Sequence, residues 1–394
     1  MESVTYLDDG PRVLSVYEGF FSGGARILHT SVVRSLAATT GQRHAVLSLT
    51  DHARREATVQ RAHDDAGYRR LSAAGVPVTA LGRSSADPLR PRDLAALERA
   101  VLGADVVLSL KEQPLTALAR IGTARPVLTC LHRSDPEHQG AGLETLVDLV
   151  RQGLVTTAIC CARSTQAAYH AATGIALDRL PVVPNGVDLH RFRSDPAQRA
   201  AVRRELGVVG DAPVVLLSAR FDPMKDVGLF VRAGARFAAR YPDAHLVLCG
   251  AGMAAATRGL TDLLTRHGLD PDRVHLLGIR EDMPRLYNAA DLVVLTSAYG
   301  EAAPLSLLEG MACGAVPVTT DVGDAALMVG DRRLVVGHDA AEVAAGWEAA
   351  FEQREEHAER ILRHRQRLNE QRCFDTYAAI VAAQVRPAAL ELAV

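Results

Sequence analysis

Residues 292–319 read LVVLTSAYGEAAPLSLLEGMACGAVPVT. A short β-branched run, Leu292–Thr296, leads into a loop containing Tyr299, Gly300 and Glu301. A helical stretch follows, with Pro304 suited to its first turn, and a second run, Val316–Thr319, comes after it. Strand, helix and strand in succession is the way parallel strands are joined.

The same alternation extends in both directions. Ahead of residue 292 come Pro213–Ser218, His245–Cys249 and Val274–Leu277. Further back lies another series: Arg12–Val16, His44–Ser48, Val76–Ala80, Asp105–Leu110, Val127–Leu131, Thr157–Cys161 and Leu180–Val183. Between them, Gly24–Thr39 and Pro91–Leu102 carry apolar residues at helical spacing. Two such series predict two doubly wound α/β domains, each a parallel sheet covered by helices. The breakers Pro184-Asn185-Gly186-Val187-Asp188 mark the expected boundary. The expected domains are 1–187 and 188–373. In the last stretch, 374–394, the helix Phe374–Gln384 has no strand partner and is expected to cross back to the first domain.

The composition supports this reading. The 394 residues are 48% hydrophobic and 23% charged, which excludes general disorder. No apolar run reaches the roughly 18 residues of a membrane span. The opening Met1-Glu2-Ser3-Val4 has neither the basic start nor the apolar stretch of a signal peptide. Six cysteines, with Cys160 and Cys161 adjacent, read as reduced thiols rather than a disulfide framework or zinc site. A cytoplasmic protein is expected. The net charge of −2 argues against general nucleic-acid binding. Residues 12–134 nevertheless sum to +7 and the rest to −9. That basic stretch is either a solvated arginine-rich surface or a face for an anionic acceptor or for weak peripheral association with a membrane. Arginine outnumbers lysine 42 to 2, pointing to a GC-rich bacterial source.

Open parallel sheets bind ligands beyond the carboxyl ends of their strands. After the first strand, Gly23 and Gly24 precede a helix, where backbone amides suit a diphosphate; a flexible loop reads the same way. After Val127–Leu131 come His132 and Arg133. The Asp105–Leu110 strand ends in Lys111-Glu112-Gln113, polar groups suited to an acceptor. After Pro213–Ser218, Arg220 and Lys225 flank a proline turn. There they either converge on an anion or sit as solvated charges. Glu301 falls in a loop and Glu309 inside the following helix, so two carboxylates eight residues apart occupy different environments. A carboxylate among Leu308 and Met311 needs a hydroxyl or cation as partner. Amides from Ala302 to Leu305 are expected to face an anion between the two acids. The acids Asp8-Asp9 and Asp64-Asp65 lack a strand-end context and read as surface charges.

Together these residues resemble the retaining glycosyltransferases of family 4. The resemblance rests on Gly23-Gly24-Ala25, His132, Pro184–Asp188, Arg220 with Lys225, and Glu301-x7-Glu309 running on into Met311-Ala312-Cys313-Gly314 and Pro317-Val318. It implies a GT-B fold, with two Rossmann-like domains facing across a cleft: acceptor on the first, nucleotide-sugar donor on the second. It implies that Glu309 binds the ribose hydroxyls and that Arg220 and Lys225 neutralise the diphosphate. Glu301 would hold the transferred sugar, helped by amides of Ala302, Ala303 and the Pro304–Leu305 turn. His132 would meet the sugar's C6 region, and Gly23 and Gly24 would pass near phosphate and acceptor. Ile279 and Arg280 would line the base. Glu112, Gln113 and Arg133 are the acceptor-side candidates. The resemblance implies no metal and no cofactor beyond the nucleotide sugar, with a UDP-sugar favoured over a GDP-sugar, and a hydroxylated acceptor. The chain departs from the family in having Arg26 where an acid is frequent and Glu301-Ala302-Ala303-Pro304 where Glu-Gly-Phe is frequent. The alternatives are a nucleotide-sugar epimerase of related fold and a non-catalytic sugar-nucleotide-binding protein.

Overall fold

The computed structural model describes residues 10–21, 23–55 and 58–385. In chain order the strands are β1 (Arg12–Tyr17), β2 (Arg43–Ser48), β3 (His52–Arg55), β4 (Thr58–Arg61), β5 (Val78–Ala80), β6 (Val106–Leu110), β7 (Val127–Leu131) and β8 (Val155–Cys160). They continue with β9 (Val214–Ser218), β10 (His245–Cys249), β11 (Val274–Leu276), β12 (Leu292–Leu295), β13 (Val316–Thr320) and β14 (Val335–Val336). One six-stranded sheet has the order β5-β2-β1-β6-β7-β8 and the other β11-β10-β9-β12-β13-β14; β3 and β4 form a separate pair. The pairings within both six-stranded sheets are parallel. In each, the third-to-sixth strands split around the first, the doubly wound order that reverses direction beside its first strand. The reversal lies between β1 and β6 in one sheet and between β9 and β12 in the other. Ligands of such sheets enter there.

The chain divides into two units. The first holds the first sheet together with the helix Gln371–Gln384; the second is built from Asn185–Glu370. Asn185, Gly186 and Val187, placed in the first domain by the sequence, belong to the second unit, and Gln371–Cys373, placed in the second, belong to the first. The Val187 N–H donates to Leu368 O at 2.8 Å and the Val187 carbonyl accepts from Glu370 N–H at 3.2 Å. Gly186 serves this contact. A Cβ there would lie 2.4 Å from Glu370 Cα, so only glycine lets the two backbones meet. In the first unit the helix Gln371–Gln384 lies against the helix Gly24–Thr39. Tyr377 meets His29 edge-on with ring centroids 6.5 Å apart, and Gln42 Nε2 donates to Ala378 O at 3.3 Å.

Leu180–Val183 does not form a strand. Val182 makes an isolated bridge to Cys160, because Pro181 and Pro184 on either side have no N–H to extend the ladder. The core of each unit is the apolar face of its sheet and helices, as parallel sheets require. In the second, the single tryptophan, Trp347, is fully buried against Phe230 and Phe237, with centroids 5.3 and 6.0 Å away. All six cysteines are buried free thiols. Among the described residues no helix is long and apolar enough to cross a membrane.

Candidate active site

In the second unit the carboxyl ends of β9 and β12 lie side by side, and the charged residues gather beyond them. After β9 the chain turns through Arg220 and Asp222, which form an ion pair at 2.7 Å. The turn Pro223–Lys225 follows, then Asp226, whose φ of 36° is unusual for a residue with a side chain. Two features hold this strained corner. The Asp226 carboxylate caps the helix Val227–Arg240 by accepting from Leu229 N–H at 2.9 Å. The Thr296 hydroxyl, at the end of β12, donates toward the carbonyls of Lys225 (3.1 Å) and Asp226 (3.2 Å). The backbone that carries Lys225 is thereby tied to β12.

Lys225 Nζ is ion-paired with Glu301 Oε1, and the buried Ser297 hydroxyl donates to the same oxygen at 2.6 Å. Ser297 is itself anchored, its carbonyl accepting from the Thr320 hydroxyl at 2.7 Å. Sequence reasoning gave Lys225 to the diphosphate and Glu301 to the sugar; the structure brings the two into direct contact. Glu309 lies in the helix Leu305–Cys313, and its Oε2 accepts from the Tyr287 hydroxyl at 2.8 Å. Burial, with the Glu309 charge adding to it, holds the Tyr287 phenol well above its ordinary range, so it is a fixed donor. Sequence reasoning missed Tyr287. It sits in a short helix, Met283–Ala289, whose pattern reads as core packing.

The amides expected from Ala302 through Leu305 need one correction. Pro304 caps the helix and has no N–H, so that peptide offers no donor. The other carbonyls of the loop face the scaffold. Ala302 O accepts from Asp324 N–H at 2.8 Å, and Glu301 O lies where a Cβ of Gly323 would come within 2.1 Å. In a trans peptide the N–H points opposite its carbonyl, so the amides of Ala302 and Ala303 turn away from that scaffold. Ile279 is half exposed just after Gly278, whose carbonyl accepts from Gly250 N–H at 2.8 Å. Arg280 is held by both Asp282 carboxylate oxygens, at 2.7 and 2.6 Å.

In the first unit Gly24 opens its helix, and a Cβ on Gly23 would meet nothing within 4 Å. Arg26, at the position where the family frequently has an acid, is buried and paired with Asp65 at 2.9 Å. Asp65 is therefore no surface charge. Its carboxylate also caps the helix Ala66–Ala73, and burial raises its pKa in spite of Arg26. Asp8 and Asp9 lie outside the described residues.

His132 follows β7. Burial, and secondarily Lys111, pushes its pKa down to about 3, and its Nε2 has no hydrogen-bond partner. It is a neutral imidazole at physiological pH. After β6, Lys111 has a φ of 70°. Two hydroxyls lock that turn: Ser109 (2.8 Å) and Thr129 (3.0 Å) both donate to the Lys111 carbonyl. The turn buries Glu112, whose pKa burial raises to about 7 and whose Oε1 has no partner. Gln113 Nε2 donates to Gln139 Oε1 at 3.0 Å, and its Oε1 is likewise unpartnered. Arg133 is ion-paired with Asp135. Among the described residues no group of three or more His, Cys, Asp or Glu side chains is arranged to hold a metal ion.

Residues 212–353, which hold the second unit's Arg220, Lys225, Tyr287, Glu301 and Glu309, match the sequence profile of the family described as glycosyl transferases group 1. The D-inositol 3-phosphate glycosyltransferase of Geodermatophilus obscurus is 35% identical over 224 residues, covering 52% of this chain and 47% of that protein. The protein of the same name from Thermobispora bispora is 34% identical over 225 residues, covering 54% and 50%. The chain thus spans about half the length of the curated relatives it matches. Among solved structures, Anabaena HepE in complex with UDP and glucose superposes with a TM-score of 0.79 at 22% identity, over 95% of this chain and all of that one.

The fold is GT-B, and the chain resembles the family 4 glycosyltransferases.

The sucrose-phosphate synthase of Thermosynechococcus elongatus has the same fold, with a TM-score of 0.73 at 18% identity over 95% of this chain and 100% of that one. In this GT-B chain the matched stretch includes β9 to β13, and with them Arg220, Lys225, Glu301 and Glu309.

Proposed function

We propose that the protein is a retaining glycosyltransferase that moves a sugar from a UDP-sugar to a hydroxyl of a small acceptor in bacterial biosynthesis. The observation that carries this reading is the grouping of Arg220, Lys225, Glu301, Tyr287 and Glu309 beyond the β9–β12 switch point. It joins two cations for a diphosphate to two carboxylates for sugar hydroxyls. The UDP named with HepE favours uridine as the base.

Each group then has a task. Tyr287 orients Glu309, which takes the ribose diol. Ile279 and Arg280 border the base through backbone atoms. Arg220 and Lys225 meet the diphosphate, and their positive charge grows in value as the leaving oxygen becomes anionic. The Ala302 and Ala303 amides help Glu301 hold the sugar, and transfer proceeds without a divalent ion. Ser297 and Lys225 hold the Glu301 carboxylate in one rotamer, ready for hydroxyls of the sugar. In the transfer step the bond from the sugar's C1 to the donor phosphate oxygen breaks and a bond to the acceptor oxygen forms on the same face. The acceptor proton passes to the departing phosphate oxygen, and UDP leaves. No carboxylate nucleophile is needed, unlike in retaining hydrolases.

We assign acceptor binding to the first unit, with Glu112, Gln113 and Arg133 as its groups. His132, Gly23 and Gly24 serve turnover from the same unit. An uncharged His132 donates to or accepts from a hydroxyl without repelling Lys111. The curated relatives act on D-inositol 3-phosphate by name, which makes a phosphorylated cyclitol the first acceptor to try. Thermal-shift screening of the full chain against UDP, GDP and their sugars tests the donor assignment. A ligand at 100 times its dissociation constant adds about 2.7 kcal/mol of stability. Stabilisation by UDP compounds supports the reading, and no shift with any nucleotide sugar would sink it.

A further inference from the structure

Asn185 is the first residue of the second unit and part of the Pro184–Asp188 motif, to which the proposed reaction gives no task. Its Nδ2 donates to the Ala303 carbonyl at 2.7 Å, across 118 residues of sequence. Its Oδ1 is buried and has no hydrogen-bond partner. The orientation of the carboxamide is determined, because turning it over would set Oδ1 against the Ala303 carbonyl oxygen. The backbone beneath it is anchored too. Gly186 lies against Glu370, and Val187 is bonded on both sides to the stretch 368–370.

The Ala303 carbonyl is a special one. Its peptide continues into Pro304, so it is the one link of the loop with no N–H to offer a ligand. The other two loop carbonyls face Gly323 and Asp324. Asn185 supplies the third hold and completes the arrangement that turns the Ala302 and Ala303 amides outward. The carboxylates of the site accept hydrogen bonds from the protein: Glu301 from Lys225 and Ser297, Glu309 from Tyr287. Asn185 Oδ1 is a buried acceptor still awaiting a donor, and such an atom is satisfied by a ligand hydroxyl that reaches it. It adjoins the loop that follows Glu301, the residue to which the proposed reaction gives the sugar.

We propose that Asn185 determines specificity for the sugar of the donor. Its Nδ2 holds the Ala302–Pro304 loop in place, and its Oδ1 accepts a hydrogen bond from a hydroxyl of the transferred sugar. The inference rests on the UDP-sugar reading above. It makes Asn185 a discriminator between the nucleotide sugar and the bare nucleotide.

The test is calorimetric titration of the full chain with UDP, UDP-glucose, UDP-galactose and UDP-N-acetylglucosamine. It compares the wild type with Asn185→Ala and with the near-isosteric Asn185→Asp, which loses the donor to Ala303 and faces its carbonyl with a second oxygen. The expected result is a UDP affinity within twofold in all three proteins. The UDP-sugar that the wild type binds tightest should weaken about tenfold in Asn185→Ala and at least as much in Asn185→Asp. Equal weakening of UDP and UDP-sugar would reduce Asn185 to a structural prop and overturn the inference, as would unchanged UDP-sugar affinity in either variant. A wild type that binds neither UDP nor any of the three sugars removes the donor reading itself and this inference with it.

Discussion

Lys225 and the buried Glu301 form an ion pair across 76 residues of sequence, one following β9 and the other following β12. The pair keeps a cation and an anion side by side where a diphosphate and a sugar are proposed to meet. Replacing Lys225 with Ala is expected to lower turnover by about one to three orders of magnitude, the scale of a lost electrostatic stabiliser. It also leaves Glu301 buried with fewer donors, which costs about 1–3 kcal/mol of stability. The double variant Lys225→Met/Glu301→Gln removes both charges and should regain most of that stability but none of the turnover. Denaturant unfolding beside steady-state kinetics separates the two effects, and near-normal turnover in a folded Lys225→Ala protein would end the assignment.

Glu309→Gln should raise the Michaelis constant for the donor more than it lowers the turnover number, because Gln keeps one acceptor oxygen where a diol uses two. Tyr287→Phe should weaken UDP binding a few-fold by releasing the carboxylate. The two changes share one interaction, so their combined cost should fall short of the sum by about 0.5 kcal/mol or more. Strict additivity in calorimetry would show that Tyr287 does not orient Glu309.

Much of this arrangement was legible in the sequence, and the limit was strand order. Lys225, Glu301 and Glu309 stand out as charged groups at strand ends or inside an apolar helix. That Lys225 touches Glu301, Tyr287 touches Glu309 and Asn185 touches Ala303 depends on β9 lying between β10 and β12, which local periodicity does not encode. Pairwise burial was equally hidden. Asp65 reads as a surface acid next to Asp64 until Arg26, 39 positions earlier, is folded onto it. Leu180–Val183 has a strand's composition, and Pro181 within it and Pro184 after it were the signal against it.

The pH dependence of stability should have two sides. Glu112, with a folded pKa raised to about 7 from 4.5, binds more protons folded than unfolded between those values. Its burial cost therefore sets in as pH rises through that window and is complete above it. Glu112→Gln should be more stable than the wild type at pH 8 and equal to it below about pH 4.5. His29, His132 and His44 have the opposite sign, being pushed down from 6.5 to about 3, 3 and 4 by burial. Stability should fall as pH drops from about 6.5 toward 4, where the unfolded chain takes up protons that the folded one excludes. Chemical unfolding across pH checks both limbs; a Glu112→Gln protein with no advantage at pH 8 would show that Glu112 is solvated.

Gly186→Ala should destabilise the second unit by about 1–3 kcal/mol, because its Cβ has backbone rather than a yielding side chain in the way. Gly41→Ala, where a Cβ would meet nothing within 4 Å, serves as the control with little change. Equal midpoints for both variants in denaturant would mean that the contact between 186 and 370 is loose.

The most direct measurement is product analysis by NMR and mass spectrometry. The wild type is incubated with UDP-sugars and a panel of hydroxylated acceptors that includes D-inositol 3-phosphate, with chelator present. Sugar transfer with retention gives UDP and a glycoside in equal amounts, the anomeric configuration matching that of the donor. An epimerised UDP-sugar formed without acceptor, or a glycoside of inverted configuration, or activity lost in chelator and restored by magnesium or manganese, would contradict it.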